Sequence, residues 1–196
     1  GYASTLKNIG QVSNTGWELG VSTINVDKQV RWTTSFNLSG NRNKVLSLGD
    51  ITQFLSGSGM LQLTNFNIVR VGEPVGSFFG QVNDGIFQSQ AEVDASAQKS
   101  ARPGDRRYKD LNNDGVINGN DRAIIGNAQP KLFGGMTNTL TYKGFELSAF
   151  LNFVTGNRIL NVNRFRLETL GSGSGAGAFP GTSNNSRNVL DRWTPT

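Results

Sequence analysis

Apolar and polar residues alternate with a period of two in four stretches of this chain, and that period predicts strands rather than helices. In 16–26, Trp17, Leu19, Val21 and Thr23 fall on one face, with Glu18, Gly20 and Ser22 on the other. Asp27-Lys28-Gln29 reads as a short turn. The next stretch, 30–39, sets Trp32, Thr34, Phe36 and Leu38 against Arg31, Thr33, Ser35 and Asn37. A second pair follows: 132–142, a compact Lys143-Gly144 turn, then Phe145, Leu147, Ala149, Leu151 and Phe153 alternating with Glu146, Ser148, Phe150 and Asn152. The expected elements are therefore two β-hairpins, at 16–39 and 132–154. Each strand is about ten residues long, which is enough to cross a bilayer at a tilt. A soluble β-sandwich gives the same alternation, so the period alone does not separate the two.

The connections are uneven. Both hairpin turns are very short, whereas 40–131 forms one excursion holding only brief strand-like pieces, near 66–71 and 77–82. Compact domains rarely contain so long a connection. Outer-membrane barrels do, because their turns are short on the periplasmic side and their loops long outside. Val71-Gly72-Glu73-Pro74 and Asp84-Gly85 read as turns. Gly171-Ser-Gly-Ser-Gly-Ala-Gly-Ala178 has no side chains to bury and reads as a mobile stretch.

Composition narrows the function. The chain has no cysteine and no histidine, which excludes thiol chemistry, a disulfide framework, the usual zinc sites and any His-assisted triad. Glu73, Glu92, Glu146 and Glu168 sit in no recognisable paired-carboxylate setting, so no enzyme activity is expected. Hydrophobic residues make up 36%, which suits short strands and polar loops better than a helical bundle. The net charge is +5, and Arg102, Arg106, Arg107, Lys109 and Arg122 form a basic cluster. Acidic residues interleave with it and the aromatics are not spaced for base stacking, so no nucleic-acid partner is expected. The chain lacks an initiator Met, a signal peptide and any apolar run long enough for a membrane helix, and it reads as an internal piece of a longer protein.

The densest chemistry lies at 110–121, Asp-Leu-Asn-Asn-Asp-Gly-Val-Ile-Asn-Gly-Asn-Asp. A hard cation needs several oxygens converging from one short segment, and alternate positions of an EF-hand-type loop supply them. Asp110, Asn112 and Asp114 would contribute side chains, Val116 its carbonyl, Asn118 a water-mediated contact, and Asp121 the closing carboxylate in place of the usual Glu. Gly115 permits the sharp turn and Ile117 would anchor the loop on an apolar patch. The expected ion is Ca²⁺ in a structural role, with modest affinity because the last ligand is the shorter Asp. The competing reading is an Asn/Asp/Gly-rich surface turn. An EF-hand proper is not expected, since Ala101-Arg102-Pro103-Gly104 would break a flanking helix.

Several motifs then carry a family resemblance. They begin with Asn14-Thr15-Gly16-Trp17-Glu18-Leu19, Trp32 with Phe36-Asn37, and Asn41-Arg42-Asn43. Next come Val71-Gly72-Glu73-Pro74-Val75-Gly76-Ser77-Phe78-Phe79-Gly80, Asp84-Gly85-Ile86-Phe87, Pro103-Gly104-Asp105 and Tyr108-Lys109-Asp110. Asp121-Arg122, Ile124-Ile125-Gly126-Asn127, Pro130-Lys131, Tyr142-Lys143-Gly144-Phe145 and Arg192-Trp193-Thr194-Pro195 complete the series. In this order they resemble the SusC/RagA family of TonB-dependent outer-membrane transporters of Bacteroidota, over nearly the whole chain.

The resemblance implies an all-β fold: antiparallel strands from a transmembrane barrel of about 22 strands, with long extracellular loops. It implies a parent protein that imports oligosaccharides or peptides, capped by a SusD-like surface lipoprotein and energised by TonB through parts outside this chain. Trp17, Trp32, Phe36, Leu147, Leu151 and Phe153 would meet outer-membrane lipid or its interface, with their polar neighbours facing the lumen. Phe78, Phe79, Phe87 and Tyr108 would be available to stack on sugar rings, with packing inside the loop as the competing role for most of them. The alternative is a soluble calcium-dependent β module that binds carbohydrate or a scaffold.

Overall fold

The computed structural model describes residues 10–57, 65–168 and 186–194. Among them the elements are β1 (Gln11–Asp27), β2 (Val30–Ser47), β3 (Gln53–Ser56), β4 (Asn67–Arg70), β5 (Ser77–Gln81) and β6 (Asn83–Ile86). Then follow α1 (Gln90–Ala95), β7 (Arg106–Tyr108), β8 (Arg122–Asn127), β9 (Leu132–Tyr142), β10 (Phe145–Thr155) and α2 (Val162–Glu168). The glycine-rich stretch 171–178 lies outside the described residues. The chain divides into two compact units, one of 1–54, 69–76 and 127–158, the other of 55–68, 77–126 and 159–196.

The first unit is an antiparallel sheet in the order β1-β2-β9-β10. Both hairpins form, and β2 pairs with β9, so the excursion leaves and returns on neighbouring strands. Side chains directly opposite one another in a ladder share a face. The register therefore lines up Leu19, Leu38, Gly134 and Phe153 in one row, and Val21, Phe36, Met136 and Leu151 in the next. The opposite face carries Gly20, Asn37, Gly135 and Asn152 in one row and Ser22, Ser35, Thr137 and Phe150 in another.

Strands β1 and β2 run to 17 and 18 residues, longer than the alternation suggests, whereas β9 and β10 have 11 each. The extra length pairs polar residues, such as Asn14 with Asn43 and Thr15 with Arg42. Those positions are polar on both faces, so they carry no period-2 signal.

Residues 71–76 are not only turns. Val45 N donates to the Glu73 carbonyl (2.9 Å) and Gly72 N to the Val45 carbonyl (2.9 Å). Val75 N donates to Asn43 Oδ1 (2.8 Å), and Ala128 N to the Gly76 carbonyl (3.0 Å). The segment straps the edge that β2 exposes once β9 has ended. Val45 is fully buried under it.

The second unit holds most of the short strands, with the sheet order β3-β4-β5-β8 and a separate β6-β7 pair. Its core is small: Ile68, Phe87 and Val93 are fully buried. Helix α1 is capped by Ser89, whose Oγ accepts from Glu92 N, while Glu92 Oε2 accepts from Gln88 N just before the cap. Arg122 fixes the start of β8 by donating to the Phe79 carbonyl (2.9 Å) and lying over the Phe79 ring at 4.6 Å.

The tightest approach in the first sheet tests the β2–β9 register. A methyl group on Gly134 would sit 2.3 Å from the Asn37 carbonyl oxygen, whereas one on Gly20 would meet nothing within 4 Å. Gly134→Ala is expected to cost about 1–3 kcal/mol by overpacking, and Gly20→Ala less than about 0.5 kcal/mol. Equilibrium unfolding of the two variants checks this. Equal stabilities would mean that the β2–β9 contact is not as described.

Candidate functional site

The loop at 110–121 is closed by its own backbone. Asn113 (φ 57°) and Gly115 (φ 78°) take left-handed conformations that reverse the chain. The Asp110 carboxylate accepts from Asp114 N (3.2 Å) and Gly115 N (2.8 Å). Asp114 accepts from Val116 N (2.9 Å) and from the Asn112 amide (2.8 Å). Asn118 caps the short 3-10 turn Gly119–Asp121, accepting from Asn120 N at 2.7 Å, and its amide donates to the Val116 carbonyl (3.4 Å).

Asp121 is the keystone. It is fully buried, and its two oxygens accept from Leu111 N (2.9 Å) and Asn118 N (2.8 Å), tying the two ends of the loop together. The Asn118 N–H holds its carboxyl below the usual carboxylate range. Burial works in the opposite direction, while the N–H groups of Leu111 and Asn112 and a hydrogen bond with Asp110 assist the lowering. Position 12 is expected to close a calcium site; in the structure the partners of Asp121 are backbone amides.

All six predicted oxygen donors thus lie in one folded loop, five of them as side chains bonded to the loop's own N–H groups. Among the described residues no three acidic side chains gather closely enough to hold a metal ion. Asp110 reaches Asp121, while Asp114 is turned onto the Val116 amide.

The four aromatics proposed for stacking do not form one platform. Phe87 is fully buried and has no face to offer, which corrects that expectation: it is a core residue of the second unit. Phe79 has one ring face under Arg122. Tyr108 is half-buried and lines a cleft of about 480 Å³ with Gln98, Lys99, Val116 and Ile117. Gln98 fastens β7, accepting from Tyr108 N (2.6 Å) and donating to the Arg106 carbonyl (3.1 Å), a role no local motif announced. The basic cluster is partly neutralised within the unit, with Arg107 at 3.3 Å and Lys109 at 3.9 Å from Asp84.

The largest exposed chemistry is the apolar face of the first sheet. Phe145 is 80% exposed, Leu147 71% and Leu151 62%. Near the short turns this face carries a polar and aromatic belt. Thr34 Oγ1 and Trp32 Nε1 both donate to Asn138 Oδ1 (2.7 and 3.1 Å), and Asn25 donates to Thr34 Oγ1 (2.6 Å). A register shift between Ile24 and Val26 places Asn25 beside Thr34. Lys143 Nζ lies 5.3 Å from the centre of the Tyr142 ring at the same end. No helix among the described residues is long and apolar enough to cross a membrane.

Comparison with known proteins gives consistent matches. The chain is 33% identical over 201 residues to TonB-dependent receptor P3 of Formosa agariphila and 34% identical over 203 residues to TonB-dependent receptor P26 of the same organism. Both alignments cover 100% of this chain and 19% of the relative. TonB-dependent receptor SusC of Bacteroides thetaiotaomicron is 24% identical over 164 residues, covering 80% of this chain and 15% of SusC. Among solved structures, the RagAB peptide transporter matches with a TM-score of 0.71 at 20% identity, over 95% of this chain and 18% of the transporter chain. The chain thus spans about a fifth of the length of the curated relatives P3 and P26. No protein-family model matches it.

The loop's closure has a pH signature. The Asp121 carboxyl titrates below its ordinary value of 3.8 in the fold. Its stabilisation is therefore complete above that value and is lost as pH falls through the lower folded one. After correction for intrinsic rates, exchange protection of the Leu111 and Asn118 amides is expected to hold from pH 7 to pH 5 and to collapse in stronger acid. Asp121→Ala should remove the protection at every pH. Protection that persists in the variant would show that other contacts close the loop.

Proposed function

This chain belongs to the SusC/RagA-type TonB-dependent receptors as one segment of them, and from that premise we propose that it forms part of the wall and outer loops of an outer-membrane importer. The parent takes up oligosaccharides or peptides, works with a SusD-like surface lipoprotein, and draws energy through TonB. The relatives bear receptor names and the chain carries no enzymatic role. Its four long strands supply the wall, and the excursion between β2 and β9 supplies an extracellular loop.

One observation carries this reading. The apolar face runs across all four strands in register, interrupted by the Thr23–Thr34–Asn138 row, over about the ten residues per strand that a tilted membrane crossing requires. The rows on the opposite face are mostly polar, as suits a lumen. A soluble calcium-dependent module would leave the same face, with Phe145, Leu147 and Leu151, open to water at high hydrophobic cost.

Within the loop, Asp110, Asn112, Asp114, Val116, Asn118 and Asp121 are proposed to hold a structural Ca²⁺. The donor set is all oxygen, and Asp110, Asp114 and Asp121 bring three carboxylates into one folded loop. Bound there, the ion would stiffen the loop for contact with the lipoprotein or the cargo.

Two experiments test these readings. Leu151→Arg, at the centre of the apolar face, is expected to cost about 2–4 kcal/mol in folding into phospholipid vesicles. Asn152→Arg, on the other face, should cost far less. Equal costs would place neither face against lipid. For calcium, Asp114→Ala is expected to raise protease cleavage within 90–130 of the full receptor in calcium buffer, to the level chelator produces in the wild type. Identical wild-type cleavage with and without chelator would leave the loop a metal-free turn.

A further inference from the structure

The apolar face changes character at its other end. Beyond Trp17, away from the short turns, the ladder continues with Thr15 opposite Arg42 and Ser13 opposite Lys44, on the same side of the sheet as Trp17 by the two-residue period. The strap and the segment entering β9 flank this region. Together they enclose a cleft of about 570 Å³ lined by Thr15, Trp17, Arg42, Lys44, Glu73 and Lys131, among others. Trp17 is 53% exposed, and its indole lies across Gly40, where a methyl group would be 2.7 Å from Nε1.

The electrostatics are one-sided. Arg42, Lys44 and Lys131 are exposed, and among the described residues none of them forms an ion pair. Glu73 is the one carboxylate lining the cleft, and it is half-buried. Three cations against one anion leave the cleft positive.

We infer that this cleft binds the phosphorylated sugar headgroup of an outer-leaflet glycolipid, the lipid A class, whose acyl chains lie along the apolar face below. The inference rests on the proposal that this face meets lipid. Position argues for the occupant: long loops are extracellular in such barrels, so the cleft sits at the outer leaflet, where phosphorylated glycolipid is the anionic species. The chemistry agrees. Arg42 offers a planar fork to phosphate oxygens, and Lys44 and Lys131 add flexible point charges whose stems can run along the apolar surface. Trp17 provides a flat face for a sugar ring at the level where aromatic side chains meet headgroups. The amide of Gln129, which also lines the cleft, is available to hydroxyls.

The test uses the full receptor purified from outer membranes in mild detergent, with bound lipid A and phosphatidylethanolamine counted by native mass spectrometry. The triple variant R42Q/K44Q/K131Q keeps side-chain bulk while removing charge. It is expected to lose lipid A at least tenfold and to keep phosphatidylethanolamine, and Arg42→Lys alone should retain most of the lipid A. If the triple variant does not reach the membrane, Lys44→Gln and Lys131→Gln singly should each lower lipid A several-fold. Undiminished lipid A in the charge-removal variants overturns the inference alone, and so does equal loss of both lipids. A wild-type receptor that does not fractionate with the outer membrane overturns both the inference and the membrane reading beneath it.

Discussion

The β2–β9 ladder is the constraint from which the rest of the structure follows. Each hairpin can satisfy its own backbone locally, but neither fixes where the other's side chains point. Eleven residue pairs, from Val30 with Tyr142 to Gly40 with Leu132, set that relation. A slip of one residue would turn every Leu and Phe of β9 and β10 to the opposite side. Gly134 and Gly135 allow the close approach at this seam, and the Phe150 ring lies 3.2 Å from where a methyl group on Gly135 would be. The seam is made of backbone, and side-chain burial adds little to it. Of the first unit's hydrophobic residues only Val45 and Leu48 are buried among those described.

The excursion is held by different means. Its fully buried apolar residues are few, and much of its order comes from short polar links: the Ser89 cap of α1, the Gln98 clamp on β7, and the Asx turns of 110–121. Oxygen-rich sequences can serve either a cation or their own N–H groups, and this loop uses its oxygens in the second way wherever hydrogen bonds are described. The two uses compete for the same lone pairs. Occupancy by an ion would therefore redistribute bonds within the loop without adding a new element of structure.

The sequence made the hairpins readable because one face of each strand is almost uniformly apolar between Trp17 and Phe153. It could not reveal the outer thirds of β1 and β2, where Asn14, Asn43 and Arg42 carry no alternation, or the pairing of β2 with β9 across the excursion. The oxygen pattern of the loop was equally plain, but the burial of Asp121 was not. A carboxylate at position 12 looks the same whether it faces a metal or two amides. Phe87 was misplaced for a related reason: an aromatic in an Asp-Gly-Ile-Phe motif reads as a loop residue until the fold shows it packed in the core. The basic cleft left no local mark, because Arg42 and Lys44 lie on β2 while Lys131 comes from the segment entering β9.

The strap at 71–76 also bears on how the chain reaches its register. Joining β2 to β9 directly would close a loop of nearly a hundred residues, and the entropic cost of closure grows with the logarithm of length. The strap divides that length into shorter closures. Val45 meets Glu73 across roughly thirty residues, and Gly76 meets Ala128 across roughly fifty. With both contacts in place, Lys131 lies beside Asn41, where the β2–β9 ladder begins. A segment that looks like punctuation in the sequence thus ties the end of β2 to the start of β9 and shortens the span that their register must bridge.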